Sequence, residues 1–249
     1  VYNRIDVVLI TKILDYTQTG LYSAAYKFFD LLAFFPAVVS HALYPLFATL
    51  MAQNKLAEIK ETLEKYLRFM AAVALPIGVG GSLLAKPIIG ILSPDYAAAA
   101  PVLAVLVWAP AILFMYIVVN ALVISQLTKW AMIVTGANVV LNLIGNIILL
   151  PRVGIIGAAV MTIASELIQG AFYFYFVRKR ITDFRFFSMI WKPIIASGVM
   201  GVAVFYTRFL PLIVVVVIGG IVYALTLLAM RFFHKDDIGY IKTLFSRAV

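Results

Sequence analysis

Residues 22–35 read YSAAYKFFDLLAFF, and the reading of this stretch decides what kind of protein the chain is. Lys27 and Asp30 stand three residues apart, flanked on both sides by aromatic and aliphatic residues. On a soluble helix the pair would be an exposed i,i+3 ion pair worth roughly a few tenths of a kcal/mol. Here no wet face is on offer. Of the 249 residues, 64% are apolar and 12% charged, where soluble domains run at about 25% charged. With a mean hydropathy of +1.05, the chain cannot hide its apolar surface in one water-soluble core. It reads as an all-α polytopic membrane helix bundle, and the Lys27–Asp30 pair lies inside one of its helices.

The chain has no cysteine, which removes disulfides and thiolate metal sites. Its two histidines, His41 and His234, lie far apart in sequence, so a histidine-rich metal site is set aside and no cofactor is expected. The chain opens Val-Tyr-Asn-Arg, without an initiator Met and already inside an apolar run. That start is expected of the later part of a longer protein whose N-terminal portion precedes it.

A spanning helix needs about 20 mostly apolar residues. About eight transmembrane segments qualify or nearly do: 1–14 (short), 20–48, 67–92, 98–124, 130–150, 155–177, 190–207 and 210–230. Turn residues separate them, as in DYTQTG (15–20), SPDY (93–96), SQLTK (125–129) and PRVG (151–154). With the C-terminus on the cytoplasmic side, the cytoplasmic segments carry 15 Lys and Arg, Arg4 among them, and the opposite side carries 4. That asymmetry is the positive-inside pattern of a multi-pass protein of the cytoplasmic membrane. Topology and anionic headgroups of the membrane lipids account for the net charge of +9, and nucleic acid is not needed as a partner. The segment NKLAEIKETLEKYLRF (54–69) alternates Leu56, Ile59, Leu63, Tyr66 and Leu67 with Lys and Glu at helical spacing. It reads as an amphipathic helix lying along the membrane surface. RKRITDFRFF (178–187) mixes cations with phenylalanines, as an interfacial linker does.

Placing a Lys or Asp at the bilayer centre costs about 2.5–3.5 kcal/mol on insertion scales, so such residues face a bundle interior or a watery cavity. Lys27, Asp30 and His41 fall within about 60° of one another at 100° per residue. Two readings follow for the pair: a cavity-facing cation with its counter-ion, or a snorkelling lysine that Asp30 merely neutralises. Asn138, Asn142 and Asn146 recur every four residues, either as glue between helices or as cavity lining. Glu166 lies near the middle of its span, with Thr162, Gln169 and Tyr173 on adjacent turns. It is a candidate proton or cation site, with a structural hydrogen bond as the alternative. Arg4 and Asp6 stand two residues apart on different faces, and Arg4 alternatively marks the cytoplasmic interface. No Ser/His/Asp set, paired carboxylates or phosphate-cradling glycine loop is present, and no long external loop could house one. The chain does not read as an enzyme.

Three stretches carry a family resemblance. NRIDVVLI, TQTGLYSAAYKFFD and YPLFA, within residues 3–48, resemble the seventh and eighth spans of oligosaccharide flippases through Arg4, Asp6, Gly20, Tyr22, Ala24, Ala25 and Pro45. These flippases form the polysaccharide-transporter branch of the superfamily that also holds multidrug extruders and lipid II flippases. ILSPDYAAAAPVLAVL (91–106) looks like the family's external G-x-x-Y turn, with Tyr96 in place but Ser93 where glycine is usual. ANVVLNLIGNIILLPRVGIIGAAVMTIASE (137–166) resembles its N-x-x-x-N helix, Pro/Gly turn and following helix start, through Asn138, Asn142, Pro151, Gly154, Gly157 and Glu166.

The resemblance implies fourteen spans in two lobes of six plus two C-terminal helices. Residues 1–180 would then be the second lobe, and 181–249 an interfacial segment, the two extra helices and a cytoplasmic tail. The implied function is the flipping of polyprenyl-pyrophosphate-linked oligosaccharide units for surface polysaccharide biosynthesis, by alternating access of the two lobes. The implied partners are that lipid-linked oligosaccharide, the missing N-terminal lobe and the polysaccharide polymerase machinery. On this view the substrate-cavity candidates are Lys27, Asp30, Arg4, Asp6, His41, Asn138 and Asn142, and Glu166 is the ion-coupling candidate. The rival is a multidrug cation antiporter of the same superfamily, whose cavity would be dominated by carboxylates and aromatics. A non-transporting scaffold or ligase subunit is a third reading with no positive feature.

Overall fold

The computed structural model describes residues 4–232. Ten α-helices follow one another: α1 (Ile5–Ile13), α2 (Tyr16–Ala52), α3 (Leu56–Leu83), α4 (Ala85–Gly90), α5 (Ala100–Leu106), α6 (Trp108–Gln126), α7 (Thr128–Val153), α8 (Ile155–Arg180), α9 (Phe186–Thr207) and α10 (Leu212–Ala229). A 3-10 turn, Pro94–Ala99, leads into α5. Among the described residues, seven helical segments are long and apolar enough to cross a membrane, with Pro94–Ile124 counted as one. They correspond to seven of the eight segments expected. The first is instead the nine-residue helix α1, too short to span alone.

Local chemistry sets the breaks. Asp15 caps α2, its carboxylate accepting from the Gln18 N–H at 2.7 Å. The helix then runs for 37 residues through Pro36 and Pro45, about 55 Å at 1.5 Å per residue. Ser93 stands where glycine was the expected turn residue, and the backbone explains why serine works. Its φ of −173° is extended, and its side chain caps the turn by accepting from the Asp95 N–H. Gly154 between α7 and α8 is different: its φ of +67° and ψ of −152° form a conformation that essentially only glycine adopts.

Residues 54–69 do not form a separate surface helix. They begin α3 and continue without interruption into its membrane-spanning part. The apolar positions read as a lipid-facing stripe (Ile59, Leu63, Tyr66 and Leu67) are buried instead against other helices. Burial of those side chains in protein takes them out of water at about 1.5–3 kcal/mol each. Only Leu56 of the stripe stays exposed.

α6 is the axial helix, packed by α2, α3 and α8, with α7 lying against α8. α1 wedges between α2 and α7. α9 packs along α3 and α10 along α9, so the two last helices stand on the far side from α1. The polar tie there is the Tyr223 hydroxyl, which donates to the Ala72 carbonyl at 2.7 Å. One end of the bundle gathers the start of α3, the end of α8 and the start of α9, and there the Lys192 ammonium donates to the Arg231 carbonyl at 3.1 Å. This is the cation-rich end expected from sequence. Lys235, Lys242, Arg247 and His234 lie outside the described residues.

Candidate functional site

The polar side chains of the membrane helices gather around the first halves of α2 and α8 and the short helix α1. Asp6 on α1 is 5% exposed. Its carboxylate accepts from the Val7 N–H at 2.9 Å and from the Tyr22 hydroxyl of α2 at 2.5 Å. The same Tyr22 oxygen lies 3.4 Å from the Thr162 hydroxyl, which donates to the Ala158 carbonyl of α8 at 3.0 Å. One tyrosine thus joins three helices around a buried carboxylate.

Arg4 points elsewhere. Its guanidinium pairs with Asp30 on α2 and lies 5.1 Å from the centre of the Tyr26 ring, a cation–π distance. This corrects one expectation. Asp30 takes its ion pair from Arg4, 26 residues away, and not from Lys27 three residues away. The reason is geometric. Arg4 approaches from a neighbouring helix with a planar fork that suits a carboxylate, whereas Lys27 shares Asp30's helix and the same outward stripe.

Lys27 is exposed and has no ion pair among the described residues. Asp30 and Arg4 are also half-exposed, at 49% and 53% of their side chains. The three charges share one exposed face of the bundle, alongside the first half of α2. His41 is exposed on the same stripe of α2 but lies eleven residues beyond Asp30, about 16 Å along the helix. It is not brought to the cluster.

Glu166 is partly buried on α8 and accepts from the Tyr116 hydroxyl of α6 at 2.5 Å. The Tyr26 ring, which Arg4 approaches at 5.1 Å, lies 5.7 Å from the Tyr22 ring and so sits beside both ends of the cluster. Tyr116 packs against the Tyr173 ring at 5.9 Å, and Gly170 makes room for it, since a Cβ there would lie 3.0 Å from the Tyr116 ring.

The asparagines of α7 face α8. Asn138 donates to Gln169 Oε1 at 2.7 Å and Asn142 to Ser165 Oγ at 2.9 Å. Asn146 reaches back to the Asn142 side chain at 3.0 Å. The ladder continues through Gln169, Tyr173 and Thr135 at 3.2 and 3.1 Å. Asn138 and Asn142 therefore sit in the α7–α8 seam and engage another helix.

The sequence reading missed Tyr116, because the middle of α6 is apolar apart from Tyr116 and Asn120 and offers no conspicuous charge. One signal was available: tyrosines concentrate at membrane interfaces, so one in the middle of a span is out of place unless its hydroxyl has a partner.

The comparisons agree with this architecture. The family model described as "Polysaccharide biosynthesis protein" matches residues 1–100. The chain is 23% identical over 208 residues, 82% of its length, to the "Probable flippase AglR" of Haloferax volcanii. It is 23% identical over 205 residues to the "Probable low-salt glycan biosynthesis flippase Agl15" of the same organism. An "Uncharacterized membrane protein MJ1068" of Methanocaldococcus jannaschii is 26% identical over 178 residues. The match takes in 44%, 43% and 34% of those three proteins, so the chain spans less than half the length of the curated relatives it matches. Among solved structures, a "Lipid II flippase MurJ, inward closed conformation" superposes with a TM-score of 0.75 at 18% identity, covering 91% of this chain and 50% of that one. The resemblance to polysaccharide-type flippases read from the sequence therefore stands in the fold as well: the chain is an all-α membrane bundle similar to half of a lipid II flippase.

Proposed function

We propose that this chain is the second lobe, with two additional helices, of a flippase that carries polyprenyl-pyrophosphate-linked oligosaccharides across the cytoplasmic membrane for surface polysaccharide biosynthesis. The lobe works by alternating access against an N-terminal lobe of the same protein. The C-terminus is cytoplasmic, and the polysaccharide polymerase machinery receives the flipped unit.

The observation that carries the reading is the sign of the open face. The carboxylates of the cluster are each engaged: Asp6 by Tyr22, Asp30 by Arg4 and Glu166 by Tyr116. Lys27 is the exposed charge of that face with no ion pair among the described residues. A face that presents a cation from a helix long and apolar enough to cross a membrane suits a pyrophosphate, which a Lys or Arg meets strongly away from bulk water. It suits an organic cation poorly, and this favours the flippase over a multidrug cation antiporter. Glu166, held by Tyr116 on the neighbouring helix, is the residue we assign to coupling with an ion gradient.

The test replaces Lys27 with Ala or Glu in the full-length protein and measures surface polysaccharide. Loss of polysaccharide at normal protein level is expected, with Lys27→Glu the more severe. Normal polysaccharide at normal protein level would sink the cationic-site reading.

A further inference from the structure

The linker between α8 and α9 is anchored by its apolar residues and charged on its outer side. Ile181 and Phe184 are buried in the core that α2, α3 and α6 share. Phe184 and Phe186 both pack on the Phe174 ring of α8, with centroids 5.7 and 4.9 Å away. The Thr182 N–H donates to the Val177 carbonyl at 3.0 Å, and Arg178 closes the turn on Asp183. With the apolar residues pinned inward, Lys179, Arg180 and Arg185 are left exposed. Arg180 and Arg185 have no ion pair among the described residues, and the linker's carboxylate, Asp183, is already engaged by Arg178. These cations end an apolar strip. Ile168, Phe172 and Tyr175 are exposed on α8 and, with Lys179, fall within about 60° of one another at 100° per residue. The Lys179 ammonium donates to the Tyr175 hydroxyl at 2.9 Å and lies 5.3 Å from the centre of that ring. It is therefore oriented while keeping further N–H groups to donate. Helix α9 repeats the order in reverse, with Arg185 first and then exposed Phe187 and Trp191. Aromatic residues one turn inside a set of cations mark the headgroup depth of a bilayer.

We propose that the end of α8 and its linker form a site for one anionic phospholipid, its phosphate held by Lys179, Arg180 and Arg185 and an acyl chain lying along Tyr175, Phe172 and Ile168. General attraction of cations to an acidic leaflet needs no fixed geometry. Here two buried side chains pin the linker, a hydroxyl orients one ammonium, and the nearby carboxylate is occupied. The cations are thus presented together before a lipid arrives, which lowers the ordering cost of binding. The apolar strip beside them selects a lipid over a free phosphate. Arg180 ends α8 and Arg185 precedes α9, so one bound phosphate ties the two helices together. The site is independent of the reading of Lys27.

The experiment titrates the full-length protein in detergent with phosphatidylglycerol and reads the affinity of bound lipid by native mass spectrometry. Phosphatidylglycerol should bind more tightly than phosphatidylcholine, whose phosphate carries its own compensating cation, and glycerol 3-phosphate should not bind. Arg180→Gln and Arg185→Gln should each weaken phosphatidylglycerol roughly fivefold, the worth of one cation beside an anionic lipid, and leave phosphatidylcholine unchanged. Lys55→Gln removes a cation of the same end that is engaged with Glu58 at 3.0 Å, and it should leave the affinity unchanged. A loss from Lys55→Gln equal to that from the arginine variants would reduce the effect to net charge and overturn the site. So would equal binding of phosphatidylcholine, or binding of glycerol 3-phosphate as tight as that of the lipid. If the arginine variants fail to fold, Asp183→Asn decides: it removes the linker's carboxylate and frees Arg178, so phosphatidylglycerol should bind more tightly. An unchanged affinity in that variant overturns the site.

Discussion

The Tyr22 hydroxyl of α2 donates to the buried Asp6 carboxylate of α1 at 2.5 Å, and its oxygen lies 3.4 Å from the Thr162 hydroxyl of α8. Tyr22→Phe removes this donor and leaves Asp6 with the Val7 N–H at 2.9 Å. A buried carboxylate stripped of one partner costs about 1–3 kcal/mol. Thermal unfolding in detergent should show a lower Tm for the variant; an unchanged Tm would mean that the hydroxyl contributes nothing to holding α1.

Glu166 and Tyr116 form a second carboxylate–tyrosine pair. Glu166→Gln keeps a side-chain oxygen that can accept from Tyr116, so stability should shift by no more than about 1 kcal/mol. Transport in proteoliposomes should nonetheless lose its dependence on the imposed ion gradient. Retained gradient dependence would reduce Glu166 to a structural hydrogen bond.

Close approach, and not chain flexibility, explains one glycine of α3. A Cβ on Gly78 would lie 2.7 Å from the Trp108 ring, whose Nε1–H donates to Ser82 Oγ at 2.9 Å. Gly78→Ala must push that indole off its partner and should destabilise by about 1–3 kcal/mol. Gly20 in α2 has nothing within 4 Å of its Cβ position. Gly20→Ala should be neutral or stabilising by up to about 1 kcal/mol, from helix propensity alone. Equal Tm shifts for the two variants would contradict this account.

Outside the membrane helices, Arg178 donates to Asp183 at 2.9 Å. That hydrogen bond, aided by the guanidinium charge, holds the Asp183 carboxyl below its usual range. A depressed carboxylate stabilises the linker above its unfolded pKa, and the contribution disappears as pH falls through the folded value. An NMR titration should place the Asp183 midpoint below that of an unperturbed aspartate. Arg178→Gln should raise it, and an unmoved midpoint would assign the shift to another cause.

The sequence by itself determined that this is a membrane helix bundle, where its turns fall and which end is rich in cations. Each of these rests on local quantities: apolar run length, Pro/Gly/Asp punctuation at Asp15, Ser93 and Gly154, and the placing of Lys and Arg between runs. It also supplied the residues of the polar cluster, because a charge inside an apolar run is conspicuous whatever it touches. What it could not supply was who pairs with whom. The i,i+3 spacing of Lys27 and Asp30 is a local argument, and it lost to Arg4, a residue 26 positions away that packing brings alongside. Tyr116 was silent for the same reason: its meaning lies in Glu166, on a helix 50 residues later. Likewise the stripe from Ile59 to Leu67 is apolar on one face whether that face meets lipid or protein, and only the neighbouring helices decide between them. Composition and periodicity fix which side chains must find partners, and the tertiary structure alone selects the partners, because that choice depends on distances between helices that the chain does not encode locally.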